Sequence, residues 1–175
     1  MNRIAMKNYR YIKPGNGVRW LECLAVLLLI HTATVSAEDS ISQNGLAIIV
    51  HKSAAVDDLS MQELRNIFMA KQQFWANRER IILLVRAPQS EERSYVLNSI
   101  YQMDEAQFRQ YWIAKMFRAE VPRGPKVVFS AGMTHDLVVA IPGSISFMLT
   151  DDVTAEVKVV RVDGKLPGDE GYPLK

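Results

Sequence analysis

The stretch Ile81-Ile82-Leu83-Leu84-Val85-Arg86-Ala87-Pro88-Gln89-Ser90-Glu91-Glu92 decides how the rest of the chain is read. Its first five residues are apolar without alternation. A strand with one wet face would alternate, so this run fits a strand covered on both faces, as in a parallel sheet. It ends on a cation, Arg86, and breaks at Ala87-Pro88-Gln89. Ser90 then stands as an N-cap, with two carboxylates in the first turn of a helix from about Glu91 to Tyr101.

The same alternation of strand and helix extends in both directions. Upstream, Leu46 to Val50 is a short apolar run and a strand candidate, followed by a polar loop from His51 to Asp58. Ser60 and Glu63 form the spacing of a capping box, and Leu59 and Leu64 that of a hydrophobic staple. The helix they open carries Met61, Leu64, Ile67 and Phe68 on one face and fades at Ala70-Lys71. Downstream, Asp104 and Gln107 open another helix, with Phe108, Tyr111, Trp112 and Met116 spaced as one apolar face. Pro122 to Pro125 is a turn, and Val127 to Phe129 a strand. Ser130-Ala131-Gly132 leads into a helix ending at Ile141, stopped by Pro142-Gly143. Ser144 to Leu149 and Val157 to Val162 complete the strands. The fold class is α/β, with a largely parallel sheet flanked by helices.

Composition agrees. Of 175 residues, 49% are apolar and 23% charged, which suits one globular domain. Residues 1–37 hold five Lys/Arg and one acid, leaving 16 basic and 18 acidic residues, a net charge of −2, for the remainder. Nucleic-acid binding, which calls for a basic domain or stripe, has no support. The basic start, the apolar run Leu24 to Ile30 and the sequence Val35-Ser36-Ala37 read as a signal peptide cut after Ala37, with Met6 an alternative start. An uncleaved anchor is the competing reading. Leu21 to Ala37 is short for a span, and Glu22 and His31 interrupt it. The single cysteine, Cys23, leaves with the signal, so residues 38–175 contain no disulfide or thiol chemistry. The division expected is 1–37 signal peptide, 38–162 α/β domain and 163–175 tail, in a periplasmic or secreted protein.

Little in the chain suggests catalysis. His51 and His135 stand without metal-ligand spacing or a nearby carboxylate pair, and the chain has no nucleophile elbow, P-loop or dinucleotide fingerprint. No metal, cofactor or catalytic residue is expected. Two strand-to-helix turns are more informative: Arg86 to Glu91, and Ser130 to Thr134. In a parallel sheet both lie at the carboxyl edge, where ligands bind. Helix N-termini there suit an anion. Arg86 would act as a fork for an oxyanion. Ser90, Ser130 and Thr134 would add hydroxyls, and Gly132 would let the backbone approach. The plainer reading of the same serines is helix capping.

Three segments carry a resemblance. Leu59-Ser60-Met61-Gln62-Glu63-Leu64-Arg65-Asn66-Ile67-Phe68-Met69-Ala70-Lys71 with Trp75 resembles the signature L-s-x-x-q-l-x-x-I-F-x-G-K-x-x-x-W of the phosphate-binding proteins of phosphate ABC transporters, which are class II periplasmic binding proteins. Ile81 to Ser90 is similar to their strand that ends in Arg before a Ser-Gly-Thr turn. Ile141 to Phe147 is similar to their t-P-G-a-I-G-y. The resemblance implies one lobe of such a protein and a phosphate or similar oxyanion as ligand. Ala70 stands where the family has Gly, and Glu91-Glu92 where it has Gly-Thr. With one lobe and two added carboxylates, binding is expected to be weak. A module that kept the fold, lost the ligand and engages a membrane or periplasmic protein is the alternative. If export proceeds as read, N-terminal sequencing of periplasmic material begins at Glu38; full-length protein held in the membrane would instead mark an anchor.

Overall fold

The computed structural model describes residues 45–175, so the expected signal peptide and its cleavage site lie outside the described residues. Six strands form one sheet: β1 (Leu46–Val50), β2 (Asp58–Leu59), β3 (Ile82–Arg86), β4 (Lys126–Val128), β5 (Ser144–Leu149) and β6 (Lys158–Val162), in the order β2-β6-β1-β5-β3-β4. Pairing is parallel between β2 and β6, β5 and β3, and β3 and β4; β1 is antiparallel to both its neighbours. Five strands therefore point one way and β1 alone runs against them. The expected largely parallel α/β sheet is the one observed.

Helices cover both faces. They are α1 (Met61–Phe68), α2 (Glu91–Val96, continued by a π-helical turn Leu97–Tyr101), α3 (Glu105–Phe117) and α4 (Ala131–Ala140). The period-2 alternation of β1 splits its buried side chains between two cores. Leu46, Ile48 and Val50 join the residues of α1, α2 and α3; Ala47 and Ile49 join Leu84, Val128 and Val138 on the α4 side.

Both expected capping boxes form. Ser60 Oγ accepts from Glu63 N–H, and the Glu63 carboxylate accepts from Ser60 N–H at 2.9 Å. Asp104 and Gln107 repeat the arrangement on α3. The Ser60 hydrogen bonds hold the Glu63 carboxyl below its ordinary value of 4.5. A lowered carboxylate contributes stability above that value and loses it as pH falls through the lowered one.

Four expectations are corrected. Met116, expected inside, is 41% exposed; Lys115 is buried in its place, its ammonium 2.9 Å from the Glu120 carboxylate. Phe129, expected in a strand, follows β4 and is 71% exposed. His135, read as having no carboxylate pair nearby, has Asp136 at 3.2 Å and Glu156 at 3.3 Å. Residues 163–175 are not a loose tail. Tyr172 and Leu174 are buried in the larger core, Tyr172 Oη donates to Leu46 O at 2.8 Å, and Leu46 N–H donates to Leu174 O at 2.9 Å. The Gly and Pro content of this segment masked two apolar anchors.

The first and third family-like motifs touch each other. Trp75 Nε1 donates to Gly143 O at 3.0 Å, as does Ile82 N–H, so the end of the α1 segment, the start of β3 and the start of β5 meet at one carbonyl. Gly143 has φ +74°, and a Cβ there would lie 2.5 Å from Arg80 O, which restricts the position to glycine. Ala70 is a different case. It ends α1 in a Schellman motif, with Ala70 N–H on Ile67 O and Lys71 N–H on Asn66 O, at φ +48°. A left-handed alanine is strained, and the family has glycine at the matching place. Ala70→Gly is expected to stabilise the protein by about 1 kcal/mol, seen as a higher urea midpoint with an unchanged slope.

Candidate functional site at the carboxyl edge

Parallel pairing aligns the ends of β3 and β4. Arg86 lies opposite Val128, and Ala87 N–H donates to Val128 O at 2.8 Å. The two turns singled out in the sequence are thereby brought side by side, one entering α2 and the other α4.

Arg86 is the last residue of β3, and its side chain is only 12% exposed. Its Nε stands 3.5 Å from Glu92 Oε1, too long for a strong charge-assisted bond. Nε and Nη1 are shut off from solvent and have no hydrogen-bond acceptor among the described residues. Two buried guanidinium donors without acceptors are costly, and an oxyanion would supply what they lack. Glu91, by contrast, is exposed.

The hydroxyls are more committed. Ser90 Oγ accepts from Arg93 N–H at 3.3 Å and Ser130 Oγ from Met133 N–H at 3.0 Å, so both serve as N-caps. A capping oxygen still carries its own O–H, which neither bond consumes. Gly132 is exposed, and a Cβ there would meet nothing closer than Ser130 Oγ at 4.0 Å; the surrounding space does not demand glycine. Thr134 is fully buried, and its hydroxyl donates to Ser130 O at 3.0 Å. That closure removes it from the surface where a ligand would sit.

The residue that sequence reading missed is Arg93. It is 4% exposed and donates from Nη1 to Arg86 O at 2.8 Å, and from Nε and Nη2 to the Glu105 carboxylate at 2.9 and 2.8 Å. Its guanidinium lies 4.6 Å from the centre of the Phe108 ring. A single basic residue in a helix first turn reads as a surface charge, and only its i+12 partner reveals otherwise. Among the described residues no cluster of His, Cys, Asp or Glu could hold a metal, and no helix is long and apolar enough to cross a membrane.

The sequence matches no family model and no curated protein. Solved structures do match. The chain resembles PstS from Borrelia burgdorferi (18% identity, TM-score 0.59, 74% of this chain and 53% of that one). It resembles a Clostridium perfringens protein assigned as a phosphate ABC transporter substrate-binding protein, with phosphate bound (20%, 0.58, 70% and 46%). It also resembles an ABC-type phosphate transport receptor from Vibrio cholerae (19%, 0.56, 70% and 48%). The chain spans about half the length of these proteins. The fold expected from the three motifs, one lobe of a phosphate-binding protein, is the fold observed.

Arg93 is expected to be structural and indispensable to the edge. Arg93→Met strips Glu105 and the Arg86 carbonyl of their donors. With the Glu105 side chain 36% exposed, the loss falls at the low end for a broken buried pair, about 3 kcal/mol, measured by urea unfolding.

Proposed function

We propose that the protein is an exported, non-catalytic oxyanion-binding protein that takes inorganic phosphate weakly at the carboxyl edge of its sheet. The observation that carries this reading is Arg86, with two buried donors lacking acceptors beside two helix entries. Arg86 is the fork. The Ser90 and Ser130 hydroxyls and the backbone at Gly132 are the secondary donors, and Thr134, being buried, contributes only by shaping the α4 entry. The fold shared with phosphate-binding proteins supports the ligand class, and those neighbours are binding proteins rather than enzymes. Periplasmic location rests on the N-terminal sequence alone.

A second reading has its own observation. The Glu92 carboxylate already faces Arg86 at 3.5 Å and answers part of its charge. A module that has replaced its ligand with this internal carboxylate, and now engages a membrane or periplasmic protein, would look the same.

Calorimetry separates the two. The Glu92 carboxylate beside Arg86 repels an incoming anion, so binding is weak. Phosphate is expected to bind with a dissociation constant of about 0.1 mM or weaker, no more favourable than about −5.5 kcal/mol. Glu92→Gln should tighten it, and Arg86→Ala should abolish it. Phosphate should also raise the melting temperature of Glu92→Gln more than that of the unaltered protein. Absence of binding in both the native protein and Glu92→Gln favours the interaction module.

A further inference from the structure

At the opposite end of β3 the molecule has a cleft of about 550 Å³, a volume ordinary for a small-molecule site. Its floor is apolar. Ile81 and Leu83, on one face of the sheet, and Ile82, on the other, are only half-buried there, at the amino-terminal ends of the strands. Trp112 forms part of the wall, is 5% exposed, and keeps an Nε1 donor with no acceptor among the described residues.

The charges around this floor have one sign. Arg80, Arg123 and Lys126 line the cleft and are exposed, and no Asp or Glu lines it. None of the three cations makes an ion pair among the described residues; Arg80 only lies over the Phe74 ring, at 5.9 Å. The adjoining carboxylate, Glu120, is already engaged by Lys115 and Arg118, which hold its pKa below the ordinary value. Half-buried apolar surface beneath unpaired cations is complementary to a molecule with an apolar body and an anionic head.

We propose that this cleft binds a small amphipathic anion, an alkyl or aryl carboxylate or its sulfonate or phosphate-ester equivalent. The apolar body lies on Ile81 and Leu83, on the face of the sheet that carries Trp112, and the head group is met by Arg123 and Lys126. The site is separate from the carboxyl edge, because three residues of β3, about 10 Å, separate Leu83 from Arg86. It does not rest on phosphate binding there.

Decanoate, decanol, decyltrimethylammonium and inorganic phosphate, each titrated into the purified protein by calorimetry with tryptophan fluorescence alongside, test the proposal. Decanoate is expected to saturate one site below its micellar range. It should bind about fivefold more tightly than decanol, the worth of a partly exposed ion pair, and about tenfold more tightly than decyltrimethylammonium. Arg123→Gln with Lys126→Gln should weaken decanoate about fivefold and leave decanol unchanged. Arg86→Ala should leave decanoate binding intact, and phosphate should not displace it. Equal affinity for decanoate and decanol, unsaturable uptake, insensitivity to the Arg123/Lys126 change, or loss of decanoate binding in Arg86→Ala would each overturn it.

Discussion

One buried guanidinium fixes the carboxyl edge. Arg93 joins the last carbonyl of β3 to the first turn of α3 through Glu105, and the ring of Phe108 underlies it. It sits in the first turn of α2, so strand end, helix entry and following helix are set by one planar group whose donors have fixed directions. Arg86, one residue before the turn, inherits its place from this arrangement. A buried arginine is tolerable only because its bonds are made; the neighbouring arginine, with bonds unmade, is where chemistry remains to be satisfied.

What was legible in the sequence was local. Ser60 with Glu63 and Asp104 with Gln107 announce helix starts because a cap needs its partner three residues on. The unbroken run Ile81 to Val85 announces a strand covered on both faces, which holds at Leu84 and Val85, while Ile81 to Leu83 are only half-buried. The distant motifs around Trp75 and Pro142-Gly143 carry no local sign of one another, yet they meet through the Trp75–Gly143 hydrogen bond. What was not legible depended on contacts across many residues. Nothing local to Arg93 or Lys115 signals burial, yet each is buried with a carboxylate that the chain brings to it. Tyr172 and Leu174 read as part of a Gly/Pro-rich tail, yet they close the core over β1. At the site, the position of Arg86 was legible, and so were the caps. The burial of Thr134 was not, because a helix first turn does not reveal which of its sides faces the sheet.

A buried guanidinium at the end of a strand poses an electrostatic problem: its nitrogens are shielded from water, so their charge must be answered close by. Glu92 partly answers the charge of Arg86 without leaving the chain, at a distance that leaves both nitrogens unbonded. The sheet therefore carries two unlike ends. The carboxyl end holds a cation partly neutralised by an internal carboxylate. The amino end holds three cations without one, over half-buried aliphatic side chains. We propose a small hard oxyanion for the first and an anion with an apolar body for the second.

The central claim is that the Arg86 guanidinium is the group that receives an oxyanion. The most direct measurement follows the Arg86 Nε–Hε signal by ¹⁵N NMR as phosphate is added. The account predicts a saturable shift of that signal, accompanied by the backbone amides of Ser90 to Glu92 and Ala131 to Met133 and by nothing at the amino-terminal end of the sheet. An Arg86 signal that stays fixed while other sites respond, or a shift that follows ionic strength equally with chloride, would contradict it.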